Sequence, residues 1–442
     1  MPDNLLEACI GRARKGLSGR GFILGVEVII MIFQAVRGLL GGRRGGIGGA
    51  IRRLAAGVLA VSLAGCGGGM DFGELFSDTG QPESGQQAAQ PQPPAQPGAG
   101  APRVVLLLPL SAPGQLGRVA ASMKKAAELA MIDAGKPGIT LAVKDTKGTP
   151  AGARMAAQAA LAEGARLLLG PLQAASVKAV RPEASSAGIP VIAFSSQSSV
   201  AGGGVYLMSF LPEEEVDNVV RYAVKTGKRN IAAMLPQTPY GAVVARALYE
   251  AAKRHGASIG AEERYVHTAG GITNPAARMA RKLASPASKI DALFFPEEPK
   301  LMKTAGSIMA SNGVNASTVQ LLGTSLWDAA AIRTTPLAIG GWYAGVEPRL
   351  VNYFNSHYAR TYGATPPRIA SLAYDATSLA IALGRGGSFS HEQIRNREGY
   401  QGMNGLFRFR DDGRIQRGLA ILQVTATGPQ VLQPAPARFS GS

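Results

Sequence analysis

The sequence predicts an α/β protein of two lobes, each a parallel sheet flanked by helices, after a disordered tether. Three observations predict it. From Arg103 onward, short apolar runs of strand length alternate with stretches of helical period. The alternation comes in two series that meet near Pro212. After Thr324 it gives way to helices and a hairpin pattern, pieces suited to completing the two lobes.

The first series opens with Val104–Leu108, a continuous apolar run as expected of a strand buried on both faces, and ends in the breaker-rich loop Pro109–Gly114. The apolar positions Val119, Met123, Ala126 and Ala130 then follow helical spacing until Gly135 and Pro137 stop it. Strand Ile139–Val143 leads into helix Ala151–Ala162, and strand Arg166–Leu169 into helix Ala174–Ser186. Ile189–Phe194 is the fourth strand, closed by the hydroxyl-rich loop Ser195–Ser199.

The second series starts with helix Glu213–Thr226, whose leading carboxylates Glu213, Glu214, Glu215 and Asp217 suit the positive end of a helix dipole without any ligand. Strands follow at Asn230–Leu235, Ile259–Val266, Ala292–Phe295 and Val319–Leu322. Helices Ala242–His255, Pro275–Ala284 and Pro299–Ser311 alternate with them. Helices Arg349–Tyr362 and Ile369–Leu383 come next, then a hairpin of Leu406–Arg410 and Leu419–Val424 turned by Asp411-Asp412-Gly413. This divides the folded part into a first lobe of 103–209 plus about 326–400 and a second of 210–325 plus about 401–430, with 431–442 a flexible tail.

Ahead of the lobes, Leu63-Ala64-Gly65-Cys66 resembles the bacterial lipobox, in which the cysteine is acylated on sulfur and becomes the mature N-terminus. Arg52-Arg53 supplies a positive flank and Leu54–Leu63 an apolar run of ten residues, short for a membrane span and typical of a signal core. Residues 1–65 are therefore expected to be a signal peptide, and their unusual length predicts that translation starts at Met31. From Cys66 to Pro102 the chain turns to Gly, Pro, Gln, Ala and Ser, too poor in apolar side chains to fold: a tether reaching on the order of 100 Å if extended at about 3.1 Å per residue. Cys9 and Cys66 are the chain's two cysteines, so the mature protein is expected to carry no disulfide.

The formal net charge is +17, and the part from Arg103 onward carries 37 basic and 22 acidic residues. The excess is spread evenly along the chain, with no basic block, which sets aside nucleic acid and implies a cationic surface suited to anionic envelope polymers or an acidic partner. There is no P-loop or H-E-x-x-H helix, and His255, His267, His357 and His391 are scattered. No catalytic residue, metal or cofactor is expected.

The segments VVLLLPLSAPG, LLLGPLQAASVKAV, GIPVIAFSSQSS, LPQTPYGAVVARALYEAA and SLAYDATSLAIAL, in this order, resemble the type I periplasmic binding-protein fold in its leucine/isoleucine/valine-binding branch. Among lipid-anchored members the chain is most similar to the penicillin-binding-protein activator lipoproteins. The resemblance covers Arg103 to Val424 and implies a cleft between the lobes at the carboxyl ends of the strands, where open α/β sheets also bind ligands on physical grounds. Matching positions are Ser111, Gln173, Ser195 and Ser196 in the first lobe, faced by Tyr240 and Glu297 from the second. The resemblance implies that hydroxyls there hold a carboxylate and that Glu297 meets an ammonium. The implied function is that of a non-enzymatic periplasmic lipoprotein, anchored to the outer membrane, that activates a penicillin-binding protein or another cell-wall synthesis protein. The alternative is a solute-binding protein that delivers an amino acid or small amide to an ABC transporter.

Overall fold

The computed structural model describes residues 100–314 and 319–439. The signal peptide, Met31, Cys66 and the tether up to residue 99 lie outside the described residues, as do 440–442 of the tail.

Chain order in the first half is β1 (Arg103–Leu108), α1 (Gly114–Asp133), β2 (Thr140–Asp145), α2 (Pro150–Ala162), β3 (Ala165–Leu169), α3 (Ala174–Ser186), β4 (Val191–Ala193) and β5 (Val205–Leu207). These strands form one parallel sheet in the order β2-β1-β3-β4-β5. The apolar run of β1 is buried on both sides, as its lack of alternation requires: Val104, Leu106 and Leu108 face one core, and Val105 and Leu107 the other. The second core packs under α2 and α3.

The next elements are α4 (Pro212–Lys225), β6 (Asn230–Pro236), α5 (Pro239–His255), β7 (Ser258–Tyr265), α6 (Ala269–Ala284), β8 (Ala292–Phe294), α7 (Pro299–Ser311), β9 (Gln320–Gly323) and β10 (Trp342–Gly345). They build a second sheet, completed by β14 (Ala420–Thr425) and β15 (Gly428–Gln433), in the order β15-β14-β10-β9-β8-β6-β7. Strands β6 to β10 run parallel, while β14 and β15 add antiparallel at one edge. Ile231, Ala233 and Leu235 of β6 pack beneath α4 and α5, and Ala232 and Met234 beneath α6 and α7.

Between β10 and β14 the chain returns to the first half as α8 (Pro348–Tyr362), α9 (Ala370–Arg385), α10 (His391–Ile394) and a small antiparallel sheet of β11 (Tyr400–Gly402), β12 (Gly405–Phe409) and β13 (Ile415–Arg417). Helix α9 lies against α1, and Leu372, Leu379, Phe407 and Ile415 close the core that α1 opens. Three connections thus cross between the halves, at Met208–Leu211, Val346–Glu347 and Gly418–Leu419.

The two-lobed α/β architecture is the expected one, but the return of the chain falls differently. Residues 326–345, expected in the first lobe, belong to the second: Trp327, Ile332, Leu337 and Tyr343 fill its core, and β10 is too short and glycine-marked to announce itself. Residues 401–417, expected in the second lobe, belong to the first. The Asp411-Asp412-Gly413 turn is formed, yet it joins β12 to β13, not to Leu419–Val424. Leu419 and Ile421 face one core and Ala420, Leu422 and Val424 another, so this run buries both faces and needs a place inside a sheet. Part of the expected tail is structured too, since Val431–Gln433 pairs with β14. Helix α6 starts at Ala269, not Pro275, because the Thr268 hydroxyl caps it by accepting the Gly271 N–H at 3.0 Å. No helix among the described residues is long and apolar enough to cross a membrane.

Candidate functional site

The loops at the carboxyl ends of the first sheet hold four of the expected residues. Ser111 follows β1 and is exposed, and its backbone N–H donates to Asp145 Oδ1 at the end of β2 at 3.3 Å. Burial pushes the Asp145 carboxyl up, but hydrogen bonds from Ser111, Lys147 and Leu110 outweigh it and hold the pKa below the ordinary value. Gln173 immediately precedes α3. Its Oε1 and the Ala112 methyl flank Gly148, where an added Cβ would lie 3.7 and 3.0 Å from them, so Ser111's neighbour and Gln173 share one loop cluster. Ser195 follows β4; it is buried, and its Oγ accepts the Gln197 N–H at 3.2 Å, while Ser196 is exposed.

The other two stand at the carboxyl ends of the second sheet. Tyr240, in the first turn of α5, shares a 2.8 Å hydrogen bond with Thr324 Oγ1 after β9. Burial, with the charges of Glu215 and Glu297 nearby, raises its phenol well above the ordinary value. Glu297 follows β8 and is 1% exposed. Its carboxylate accepts the Tyr265 hydroxyl at 2.5 Å and the Glu298 N–H at 2.7 Å, and His267 Nε2 lies 3.1 Å away. No hydrogen bond joins the first group to Tyr240 or Glu297 among the described residues. Cys66 is outside the described residues.

A cavity of about 670 Å³ lies elsewhere along the seam between the halves, and none of the six expected residues lines it. Its second-lobe wall is the start of α7 and the turns from Ser325 to Ala331; its first-lobe wall comes from α8, the segment entering α9, and Met403-Asn404. Leu326, Val351, Phe354 and Met403 make much of it apolar. Arg368 is its main cationic group, with the guanidinium 4.0 Å from the Phe210 ring centroid and Nη2 4.0 Å from Glu215 Oε1. Its Nε is buried without a hydrogen-bond partner. Glu215, read from sequence as one of the carboxylates that suit the positive end of a helix dipole, is buried: it accepts the Ser325 N–H at 2.9 Å and hydroxyl at 2.5 Å. Burial raises its carboxyl, opposed by Arg368 and the Ser325 bonds. Asp328 is raised by burial as well, and accepts the Tyr343 hydroxyl at 3.2 Å.

The volume is that of a small-molecule site, and Arg368 with the lining carboxylates Glu298 and Asp328 on partly apolar walls can hold both ends of a zwitterion or the side chain of a partner. Sequence reasoning missed Arg368 and Asp328. The signal for Arg368 was Pro366-Pro367, which hold the chain extended just before α9 and so set a polar residue at the lobe boundary. Among the described residues no three or more His, Cys, Asp or Glu are grouped to hold a metal ion. The four histidines sit apart, against Asp217, Glu297, Asp133 and Tyr206 respectively.

Comparison with known proteins gives the same architecture. The fold is similar to an ABC transporter substrate-binding protein from Sphaerobacter thermophilus, at TM-score 0.60 and 16% identity over 76% of this chain and 97% of that one. It is similar to the LpoA C-domain from Haemophilus influenzae, a regulator of PBP1A, at TM-score 0.58 and 16% identity over 75% and 99%. An ABC transporter substrate-binding protein from Desulfitobacterium hafniense in complex with Leu matches at TM-score 0.55 and 18% identity over 75% and 99%. No curated protein sequence matches. The periplasmic binding protein profile matches residues 102–429, which spans the first sheet, the second up to the start of β15 and every connection between the halves, and the chain therefore belongs to the periplasmic binding protein family.

Proposed function

We propose that the chain is a non-enzymatic lipoprotein of the periplasm, anchored through Cys66 to the outer membrane, that regulates a penicillin-binding protein through the surface of its two-lobed domain. One observation carries the reading: Glu297, the carboxylate an amino-acid receptor of this fold would offer an ammonium group, is taken up by Tyr265, His267 and its own neighbour's N–H. An occupied acceptor gains little from a ligand that has first to displace those donors. The LpoA C-domain, with the same fold, is a precedent for regulation of a cell-wall synthase by such a domain. Family membership supports an extracytoplasmic location. The lipobox-like stretch and the Pro/Gln tether support a fixed anchor with long reach.

A second reading, capture of an amino acid or small amide for transport, is favoured by the 670 Å³ cavity and the unpartnered Nε of Arg368. One pair of measurements separates them. Retention of a protein that a fluorescent penicillin labels, together with no heat on titration of the full chain with branched-chain and polar amino acids, is the expected result. Micromolar binding of an amino acid, with no penicillin-labelled protein retained, would overturn the first reading in favour of the second.

A further inference from the structure

A second cavity, of about 330 Å³, opens where α4, β12, β13 and the segment after β15 meet. Five guanidinium groups line it: Arg221, Arg408, Arg410, Arg417 and Arg438. The carboxylates there are Glu214 and Asp217, and both are already engaged. Glu214 accepts from Arg410 Nη2 at 2.7 Å, whereas Asp217 bonds Arg254 and lies 2.9 Å from His255 Nε2. No carboxylate is within ion-pair distance of the remaining four arginines among the described residues.

Three of these four, Arg221, Arg408 and Arg417, hydrogen-bond to neutral groups. Arg221 Nη2 donates to Asn218 Oδ1 at 2.6 Å. Arg408 donates to Gln416 Oε1 at 2.8 Å and to the Arg397 carbonyl at 2.9 Å, with its guanidinium 4.5 Å from the Phe439 ring centroid. Arg417 is 4% exposed. Its Nε donates to the Ser209 carbonyl at 3.0 Å and its Nη2 meets only the sulfur of Met208 at 3.6 Å, a weak acceptor. Its Nη1 is buried without a hydrogen-bond partner, while the buried carboxylates Asp375 and Glu215 and the Phe210 and Phe407 rings surround the guanidinium. A buried guanidinium with an unmet donor is costly unless an acceptor comes to it.

We propose that this cavity binds a phosphate group. One carboxylate is satisfied by one arginine fork, whereas a tetrahedral phosphate presents oxygens in several directions and suits donors arriving from several elements. Three forks with no carboxylate within ion-pair distance, Arg221, Arg408 and Arg438 from α4, β12 and the segment after β15, meet that description. The volume leaves room for the moiety that carries the phosphate, either a soluble phosphorylated compound or a phospholipid headgroup. The proposal goes beyond the reading of the interlobe seam and uses none of its residues, so either can fail alone.

The test uses the full-length chain with Cys66→Ser, so that no acyl chain contributes to membrane binding. Calorimetric titration with inorganic phosphate is expected to show saturable binding that weakens as sodium chloride rises. The double variant R221Q/R438Q, altered at two exposed positions, should keep the melting temperature and lose roughly tenfold or more in phosphate affinity. Co-sedimentation with phosphatidylglycerol vesicles, reversed by free phosphate, would assign the phosphate to a headgroup; phosphate binding without vesicle binding would assign it to a soluble compound. No binding at millimolar phosphate, or equal affinity in R221Q/R438Q, would overturn the proposal.

Discussion

At the scale of single residues, the carboxylates define how this protein responds to acid. Glu263 at β7 accepts two bonds from Arg278, at 2.9 and 2.7 Å, and one from Lys282 at 2.7 Å. Burial alone pushes its carboxyl up, but the two cations more than offset this and hold it below the ordinary glutamate value. A carboxyl depressed in the folded state contributes stability that is complete above its unfolded value and fades as pH falls through the folded one. Glu263→Gln is therefore expected to cost on the order of 1 kcal/mol at neutral pH, kept modest by the half-exposed partners. That difference should shrink steadily as pH falls below the ordinary glutamate value, as urea denaturation across pH would reveal. A difference that stays constant with pH would mean that the cluster contributes through packing instead.

Elements tell how far the sequence could be read. The strand-helix alternation was legible because each apolar run, such as Val104–Leu108, is bounded by a strong breaker. The start of α6 was not, since Gly270-Gly271 read as loop and Pro275 as a first turn, while the cap that decides it is one hydroxyl on Thr268. Thr268→Ala is expected to lower stability by about 1 kcal/mol, seen as a shifted denaturant midpoint with an unchanged slope. Strand β14 misled for a different reason: a run buried on both faces looks the same in a hairpin or inside a sheet, and only its antiparallel pairing to β10 separates the two. In the candidate site, the alternation placed the strand ends, while the choice of Ser111, Gln173, Ser195, Ser196, Tyr240 and Glu297 there came from the family resemblance. The occupation of Glu297 by Tyr265 and His267 was not, because it depends on which side chains the ends of β7 and β8, on either side of β6, bring together.

For the whole molecule, the three crossings between the halves matter most. Arg417 lies just before the third and grips the first through the Ser209 carbonyl, so two of the connections are fastened to each other. Burial pulls its guanidinium down to about 10, which leaves it charged at neutral pH. The arginine-lined cavity is thus placed where anything bound would touch the joint as well as the surface.

The return of the chain to the first half also fixes an order of events during synthesis. The face of β1 that carries Val104, Leu106 and Leu108 is covered by α1, but that core is closed only by Phe354, Tyr358, Leu379, Phe407 and Ile415, which are made more than 200 residues later. The second half, lying between, has most of its strands before the first half is sealed. A nascent chain paused after Val346 would expose a wide greasy surface on α1, a natural target for holdase chaperones. A fragment ending there is expected to bind a hydrophobic dye and to self-associate on size-exclusion chromatography. A monomeric, dye-silent fragment would show instead that the first half matures without waiting for its C-terminal cover.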